Sequence, residues 1–266
     1  MQIREKEKQL CRIFEEYGKV AVAFSGGADS SLLLFYAIKV LGPENVAAFT
    51  SRSCLLKSHE LERASSWFAR HDLPGRISHQ FVDIDPLAWE EFVSNPVDRC
   101  YRCKSRVYGL FMSRAKEMGI TRLIDGTNSD DMQSDRPGLR ALKEIGVGTP
   151  LAAAGFAKDD VRALSRKIGL DTWDRPSSSC LATRIPCGME ITGQRVDIIA
   201  RAESILEEMG FTGCRFRLDH LDRTAASIQV QQKDLPRITQ DPDRVYLLEK
   251  LREFGFSQVL LDMYGR

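Results

Sequence analysis

Short apolar runs alternate along the chain with longer segments whose apolar residues recur every three or four positions. Lys19 to Phe24 is a run of small and β-branched residues, the pattern of a buried strand. Asn45 to Thr50, Arg76 to Val82 and Arg122 to Asp125 read the same way. Between and around them, Ile3 to Tyr17, Ser31 to Val40, Ser58 to His71 and Arg102 to Met118 read as helices. The second of these carries Leu32, Leu33, Leu34, Tyr36, Ala37 and Ile38, dense enough for a helix buried on most sides. Strand and helix in turn predict an α/β fold, a parallel sheet with helices on both faces. A further helix opens at Phe156-Ala157-Lys158-Asp159-Asp160-Val161-Arg162 and ends near Ile168-Gly169-Leu170. The rhythm then changes. Thr192 to Met209 is an amphipathic helix with Val196, Ile199, Ile205 and Leu206 apolar, Arg215 to Leu218 and Ala225 to Val230 are a strand pair, Asp243 to Phe254 is a helix, and Gln258 to Met263 a closing strand. The expected organisation is a parallel-sheet α/β domain over 1–186 and a smaller C-terminal α+β domain over 187–266.

Length and charge narrow the partners. A chain of 266 residues can bury a full core and still carry a second domain. Lys and Arg number 38 against 37 Asp and Glu, so nothing demands a polyanion and no nucleic-acid partner is expected. No apolar run reaches membrane-spanning length, and Met1 to Glu7 has no signal-peptide core, so no membrane partner and a cytoplasmic location are expected. In that compartment the seven cysteines are thiols, metal ligands or nucleophiles sooner than disulfides. There is no internal repeat and no low-complexity segment.

The chemistry starts at Ser25-Gly26-Gly27-Ala28-Asp29-Ser30, between the first predicted strand and the buried helix. Glycine lets backbone approach a bound group closely, and the following helix aims its free N–H groups and positive dipole end at the turn. Together these make an anion site. It is neither a Walker loop, since no Gly-Lys-Ser/Thr closes it, nor a dinucleotide G-x-G-x-x-G. It resembles the pyrophosphate loop of the N-type ATP pyrophosphatases, the PP-loop superfamily. That resemblance implies a Rossmann-like, adenine nucleotide alpha hydrolase-like domain that binds ATP. Ser25, Gly26, Gly27, Asp29 and Ser30 would hold its β- and γ-phosphates, with Mg2+ beside Asp29. Ser51, just past the second strand, would cradle adenine and ribose. Gly126, in Asp125-Gly126-Thr127-Asn128, would close over the nucleotide. Arg136 is a candidate phosphate or carboxylate contact, and Lys158 a further one for phosphate or a solvated helix start.

Two cysteine arrangements remain. Cys100-Tyr101-Arg102-Cys103 is a C-x-x-C at the start of a helix, and Cys180 lies in a serine-rich loop between Arg175 and Arg184, cations that favour a thiolate. A C-x-x-C alone fits a redox pair, half a zinc site or part of an iron–sulfur site. Zinc would want four ligands, and with four histidines in the chain no second C-x-x-C or H-x-x-x-H appears. Cys11, Cys54, Cys187 and Cys214 carry no motif, although Cys187 is close to Cys180 in sequence.

Ser25 to Ser30, Asp135-Arg136-Pro137-Gly138, Cys180-Leu181-Ala182-Thr183-Arg184-Ile185-Pro186 and Cys214-Arg215-Phe216-Arg217 together resemble the LarE family. These are the sulfur-inserting enzymes of nickel-pincer nucleotide synthesis. The resemblance spans nearly the whole chain. It implies that a carboxylate of pyridinium-3,5-biscarboxylic acid mononucleotide, a small-molecule nucleotide, is adenylated, pyrophosphate is released, and sulfur is inserted to give a thiocarboxylate. Asp29 and Cys180 would be catalytic. Glu203, Arg215 and Arg217 would lie near a phosphate or substrate, in a C-terminal domain that holds substrate and subunits of a homo-oligomer. Members that sacrifice the cysteine lack the C-x-x-C. Its presence here implies the branch in which Cys100, Cys103 and Cys180 ligate a [4Fe-4S] cluster with one open iron. A sulfur donor and a downstream nickel-insertion protein are the implied partners. The rival expectations are another PP-loop enzyme, a tRNA thiolase or an ammonia-using synthetase, and a nucleotide-binding iron–sulfur sensor.

Overall fold

The computed structural model describes residues 2–71, 73, 77–133, 137–176 and 178–266. The chain divides into two compact units, one of residues 1–53, 58–84 and 98–175, the other of 54–57, 85–97 and 176–266. The expected boundary at 186/187 therefore falls inside the second unit. The short segments explain this. The Leu181 amide donates to Leu55 O at 3.0 Å, and the amides of Gly188 and Ile191 donate to Asn95 O and Val93 O at 2.9 and 2.8 Å.

In the first unit a four-stranded parallel sheet runs β3-β2-β1-β4, with β1 Val20–Ala23, β2 Val46–Arg52, β3 Ser78–Asp83 and β4 Leu123–Ile124. The chain steps outward from β1 to β3 and then returns to add β4 on the other side of β1. The reversal makes the carboxyl ends of β1 and β4 a switch point, where open α/β sheets form their ligand crevice. β4 is shorter than the predicted 122–125, and on its edge away from β1 Gly148 bridges Ile124 in parallel, the Asp125 amide donating to Gly148 O at 3.0 Å. The predicted start of β3, Arg76, lies outside the described residues.

Helix α1, Ile3–Tyr17, matches its predicted span, and α2, Ala28–Leu41, packs between α1, the helix Lys158–Lys167 and the sheet. Leu32, Leu33, Leu34, Tyr36 and Ala37 of α2 are fully buried. α2 begins at Ala28, before the predicted Ser31, so Asp29 and Ser30 lie in its first turn. The helix Arg99–Glu117 likewise begins before the predicted Arg102 and takes in both Cys100 and Cys103.

The second unit holds a three-stranded sheet in the order β5-β6-β7, with β5 Arg215–Leu218 antiparallel to β6 Ala225–Gln229 and β7 Gln258–Leu261 parallel to β6. Its long helix, Gly193–Glu208, buries Val196, Ile199, Ala202 and Leu206, and with them Glu203. Among the described residues no helix is long and apolar enough to cross a membrane.

One buried polar contact ties the sheet to the glycine turn. Thr50 Oγ1 donates to Phe24 O, the residue before the turn, at 2.6 Å, and so accepts from His79 Nε2 at 2.9 Å. The rings of Phe24, Phe68 and Phe81 surround His79 at centroid distances of 5.7, 5.1 and 4.6 Å. Burial pushes the His79 pKa down to about 4. Above the ordinary 6.5 the imidazole is neutral folded or unfolded and costs nothing. Between there and about 4 the unfolded chain takes up a proton that the folded one refuses, so stability falls as the pH drops through that window. Urea midpoints of the wild type should fall through this window more steeply than those of His79→Gln, which keeps a donor for Thr50. Identical pH profiles would assign the effect to another group.

Candidate active site

The glycine turn closes on itself through two serines. The Ser25 amide donates to Ser30 Oγ at 3.3 Å, the two hydroxyl oxygens lie 3.1 Å apart, and Ser30 Oγ donates to Gly27 O at 3.3 Å. Gly26 has a φ of +72°, and a Cβ there would stand 3.3 Å from the backbone of Ala64 on α3, Ser58–Arg70. Glycine thus answers both a left-handed φ and a close approach. Gly27 caps α2 with no side-chain bond to its first N–H groups, which leaves those donors for an anion.

The loop after β4 packs against this turn. A Cβ on Gly126 would meet Ser30 N at 2.8 Å and Asp29 C at 3.0 Å. Asn128 Nδ2 donates to Asp29 Oδ1 at 3.1 Å, and Lys158 Nζ pairs with Asp29 Oδ2. Lys158 is therefore neither a solvated helix start nor free; it neutralises Asp29. Its own amide donates to Asp130 Oδ2 at 2.8 Å. Ser51 lies half-buried near the carboxyl end of β2, beside the exposed Arg52–Asp83 pair. Arg136 lies outside the described residues. One carboxylate at a phosphate turn suits magnesium, which keeps waters and takes the rest of its ligands from phosphate oxygens.

In the second unit the Cys180 loop is held from below. Cys180 precedes a 3₁₀ turn, Leu181–Arg184, and its carbonyl accepts from the Thr183 amide and hydroxyl at 2.9 and 2.8 Å. Arg184, 3 % exposed, reaches back with Nη1 to Ser179 O, Ser179 Oγ and Thr183 Oγ1 at 2.8, 2.6 and 2.9 Å. Its Nε and Nη2 donate to Glu203 Oε1 and Oε2 at 2.7 and 3.1 Å. Glu203 also accepts from the Phe216 amide at 3.0 Å and pairs with Lys57 Nζ at 2.6 Å. Burial raises its pKa and the bonds from Arg184 and Lys57 more than offset this, so it stays ionised below the ordinary carboxylate range.

Two expectations change here. Arg184 is no spare cation beside the thiol, because its charge is engaged by Glu203. Glu203 itself is fully buried with its oxygens engaged, so it acts on the loop through Arg184 instead of facing a ligand. The sequence reading missed this role of Arg184, and it missed Lys57 and Asn95 altogether. The available signal was a glutamate interrupting the apolar stripe Ile199, Ala202, Leu206, which implies a buried cation. Asn95, fully buried with φ +53°, donates from Nδ2 to Pro186 O and Met189 O, each at 2.7 Å, and clasps the chain that leaves the Cys180 loop.

Arg215 and Arg217 share one face of β5, and Phe216 between them is buried on the other. Arg217 Nη1 donates to Thr183 O at 3.1 Å. Burial, then Arg266, Arg184 and Arg217, push the Arg215 pKa down to about 10, and its Nε has no partner among the described residues. Burial and neighbouring arginine charge also lower Arg217 and Arg266. Two half-buried guanidiniums on one strand face, Arg215 and Arg217, are chemically suited to an anion such as phosphate.

Cys100 is exposed and Cys103 half-buried in the first turns of Arg99–Glu117, one helical turn apart. Cys180 belongs to the other unit. Neither unit alone assembles the three thiols, and among the described residues no group of three or more His, Cys, Asp or Glu stands ready to hold a metal ion. The donor chemistry, soft thiols with two at helical spacing, suits iron–sulfur ligation.

No family model matches the chain. An uncharacterized protein, slr1717, of Synechocystis sp. is 34 % identical over 99 % of this chain and 95 % of its own length. The pyridinium-3,5-bisthiocarboxylic acid mononucleotide synthase of Lactiplantibacillus plantarum is 32 % identical over 98 % of this chain and 91 % of its own. A glutamine-hydrolyzing GMP synthase chain of Thermoplasma acidophilum is 28 % identical over 72 % of this chain and 64 % of its own.

Removing the charge of Glu203 leaves Arg184 buried without its carboxylate. Glu203→Gln should cost about 3–5 kcal/mol in urea unfolding, the range for breaking a buried pair at one partner. It should also speed alkylation of Cys180, as the turn loses its anchor. A loss under about 1 kcal/mol with unchanged alkylation would show that the pair does not hold the loop.

Proposed function

The chain belongs to the family of the pyridinium-3,5-bisthiocarboxylic acid mononucleotide synthase, LarE, and from that premise we propose that it is an ATP-dependent sulfurtransferase acting on pyridinium-3,5-biscarboxylic acid mononucleotide. One observation carries the reading: a member of that family keeps both an open phosphate turn at a sheet switch point and a cysteine loop anchored by a buried arginine. A carboxylate is a poor electrophile because its oxygen leaves badly. In the proposed reaction that oxygen attacks the α-phosphate of ATP, pyrophosphate leaves, and an acyl adenylate forms. Sulfur then bonds to the activated carbon, the carbon–oxygen bond to AMP breaks, and a thiocarboxylate results.

The chain's own groups divide this work. Ser25, Gly26, Gly27 and Ser30 hold the β- and γ-phosphates through N–H and hydroxyl groups. Asp29 takes a magnesium ion beside them, and Lys158, released from Asp29, offsets the charge that builds on phosphate. Ser51 and Gly126 bound the nucleoside, and Arg136 is a further phosphate contact. Arg215 and Arg217 take the phosphate of the mononucleotide substrate, whose charge relieves their mutual repulsion. Cys180 is the sulfur-handling residue. Cys100, Cys103 and Cys180 would hold a [4Fe-4S] cluster, which supplies, when bound, an open iron for an exogenous sulfide. A homo-oligomer, a sulfur donor upstream and a nickel-inserting protein downstream complete the proposal.

Cys180→Ser should still release pyrophosphate when ATP and substrate are present and should form no thiocarboxylate. Normal thiolated product from this variant would move the role elsewhere, with Cys187 next. Reconstitution without oxygen should give about four irons per chain in the wild type, lost on changing any one of the three cysteines to alanine. Iron unaffected by all three changes would remove the cluster and leave a sacrificial cysteine as the sulfur source.

A further inference from the structure

The reaction gives nothing to Tyr108, yet the structure places it where it can act on the nucleotide. Tyr108 lies on the helix Arg99–Glu117, and its hydroxyl donates to Asp125 Oδ2 at 3.1 Å. Burial and the adjacent carboxylate raise its pKa well above 10, so it remains a donor. Asp125 is 5 % exposed, and its other oxygen, Oδ1, accepts from the Thr127 amide at 2.9 Å. Lys104 Nζ stands 3.9 Å from Oδ2 and 5.4 Å from the centroid of the Tyr108 ring. The two oxygens of Asp125 thus have different tasks. One is fixed by the helix, and the other shapes the turn Asp125-Gly126-Thr127.

That turn has no slack. A Cβ on Gly126 would sit 2.8 Å from Ser30 N, and two residues on Asn128 bonds to Asp29. A shift of Asp125 therefore moves backbone that lies directly against the first turn of α2.

We infer that Tyr108 is a positioning residue for ATP: through Asp125 it sets the turn that packs on the phosphate loop, without touching the nucleotide. This rests on reading the glycine turn as a nucleotide site. Phenylalanine keeps the ring and removes only the donor, so Tyr108→Phe isolates the hydroxyl. The test is calorimetric titration with ATP and magnesium of the wild type, Tyr108→Phe, Asp125→Ala and the double variant, with melting temperatures taken without nucleotide. Tyr108→Phe should weaken ATP about two- to tenfold, the span of one buried hydrogen bond, and leave the KM for the pyridinium substrate unchanged. In the Asp125→Ala background the same change should add nothing further, because the hydroxyl acts only through that carboxylate. ATP binding unchanged in Tyr108→Phe overturns the inference, and so do losses that add in full in the double variant. Should Tyr108→Phe not fold, Asp125→Ala binding ATP as tightly as the wild type overturns it equally. A wild type that binds no ATP sinks the nucleotide reading itself, a result distinct from either.

Discussion

A carboxylate shut away from water must find a partner for every oxygen, and both units of this protein use that constraint to hold a loop still. Glu203 is fully buried, and its bonds to Arg184, Lys57 and the Phe216 amide leave it no freedom. An unpaired buried charge costs several kcal/mol, so Arg184 is fixed as firmly as Glu203. The rest of that guanidinium then fixes Ser179 and Thr183 on either side of Cys180. Asp125 does the same on a smaller scale. Its oxygens are shared between Tyr108 and the Thr127 amide, and the turn that results presses on the first turn of α2. In each case a loop is set by a buried carboxylate whose oxygens are engaged in holding it.

Positive charge is arranged by the opposite logic. Arg184 and Lys57 have acidic partners and are structural. Arg215 and Arg217 lie half-buried and Arg266 is exposed, and burial and neighbouring arginine charge lower all three pKa values. A folded chain tolerates such repulsion where an anion is to arrive, because the ligand then supplies the missing charge. Lys158 shows the intermediate case. It is paired with Asp29, so in the proposed reaction the two would have to part before either could serve the nucleotide.

Much of the fold was legible because it is written in local periodicity. α1 and β5 fall on their predicted residues, and the glycine turn lies between strand and helix as its composition demands. Apart from two helices that begin about a turn early, the misses are non-local. The outer edge of β4 is met by Gly148, which bridges Ile124 from more than twenty residues away in sequence. The unit boundary was misplaced because residues 54–57 and 85–97, far apart in the chain, bond to the segment after Pro176. The roles of Asn95, Lys57 and Arg184 were illegible for the same reason. Sequence shows that a residue type can donate or accept, and only the fold shows to what.

The cysteines make the same point from chemistry. Burial pushes Cys214 up to about 12, and its sulfur leans on Glu203 O at 3.6 Å, so it is a neutral thiol filling space beside the carboxylate that anchors the loop. Partial desolvation also raises the half-buried Cys11 and the exposed Cys54. Cys100 is exposed, and Cys103 and Cys180 are half-buried, outside the apolar core. In the proposed reaction sulfur is loaded and then surrendered, a task ill suited to a packed thiol, since each turnover would open and refill a cavity. Of the seven thiols only Cys214 is buried, and it packs beside the carboxylate whose arginine partner anchors the backbone around Cys180.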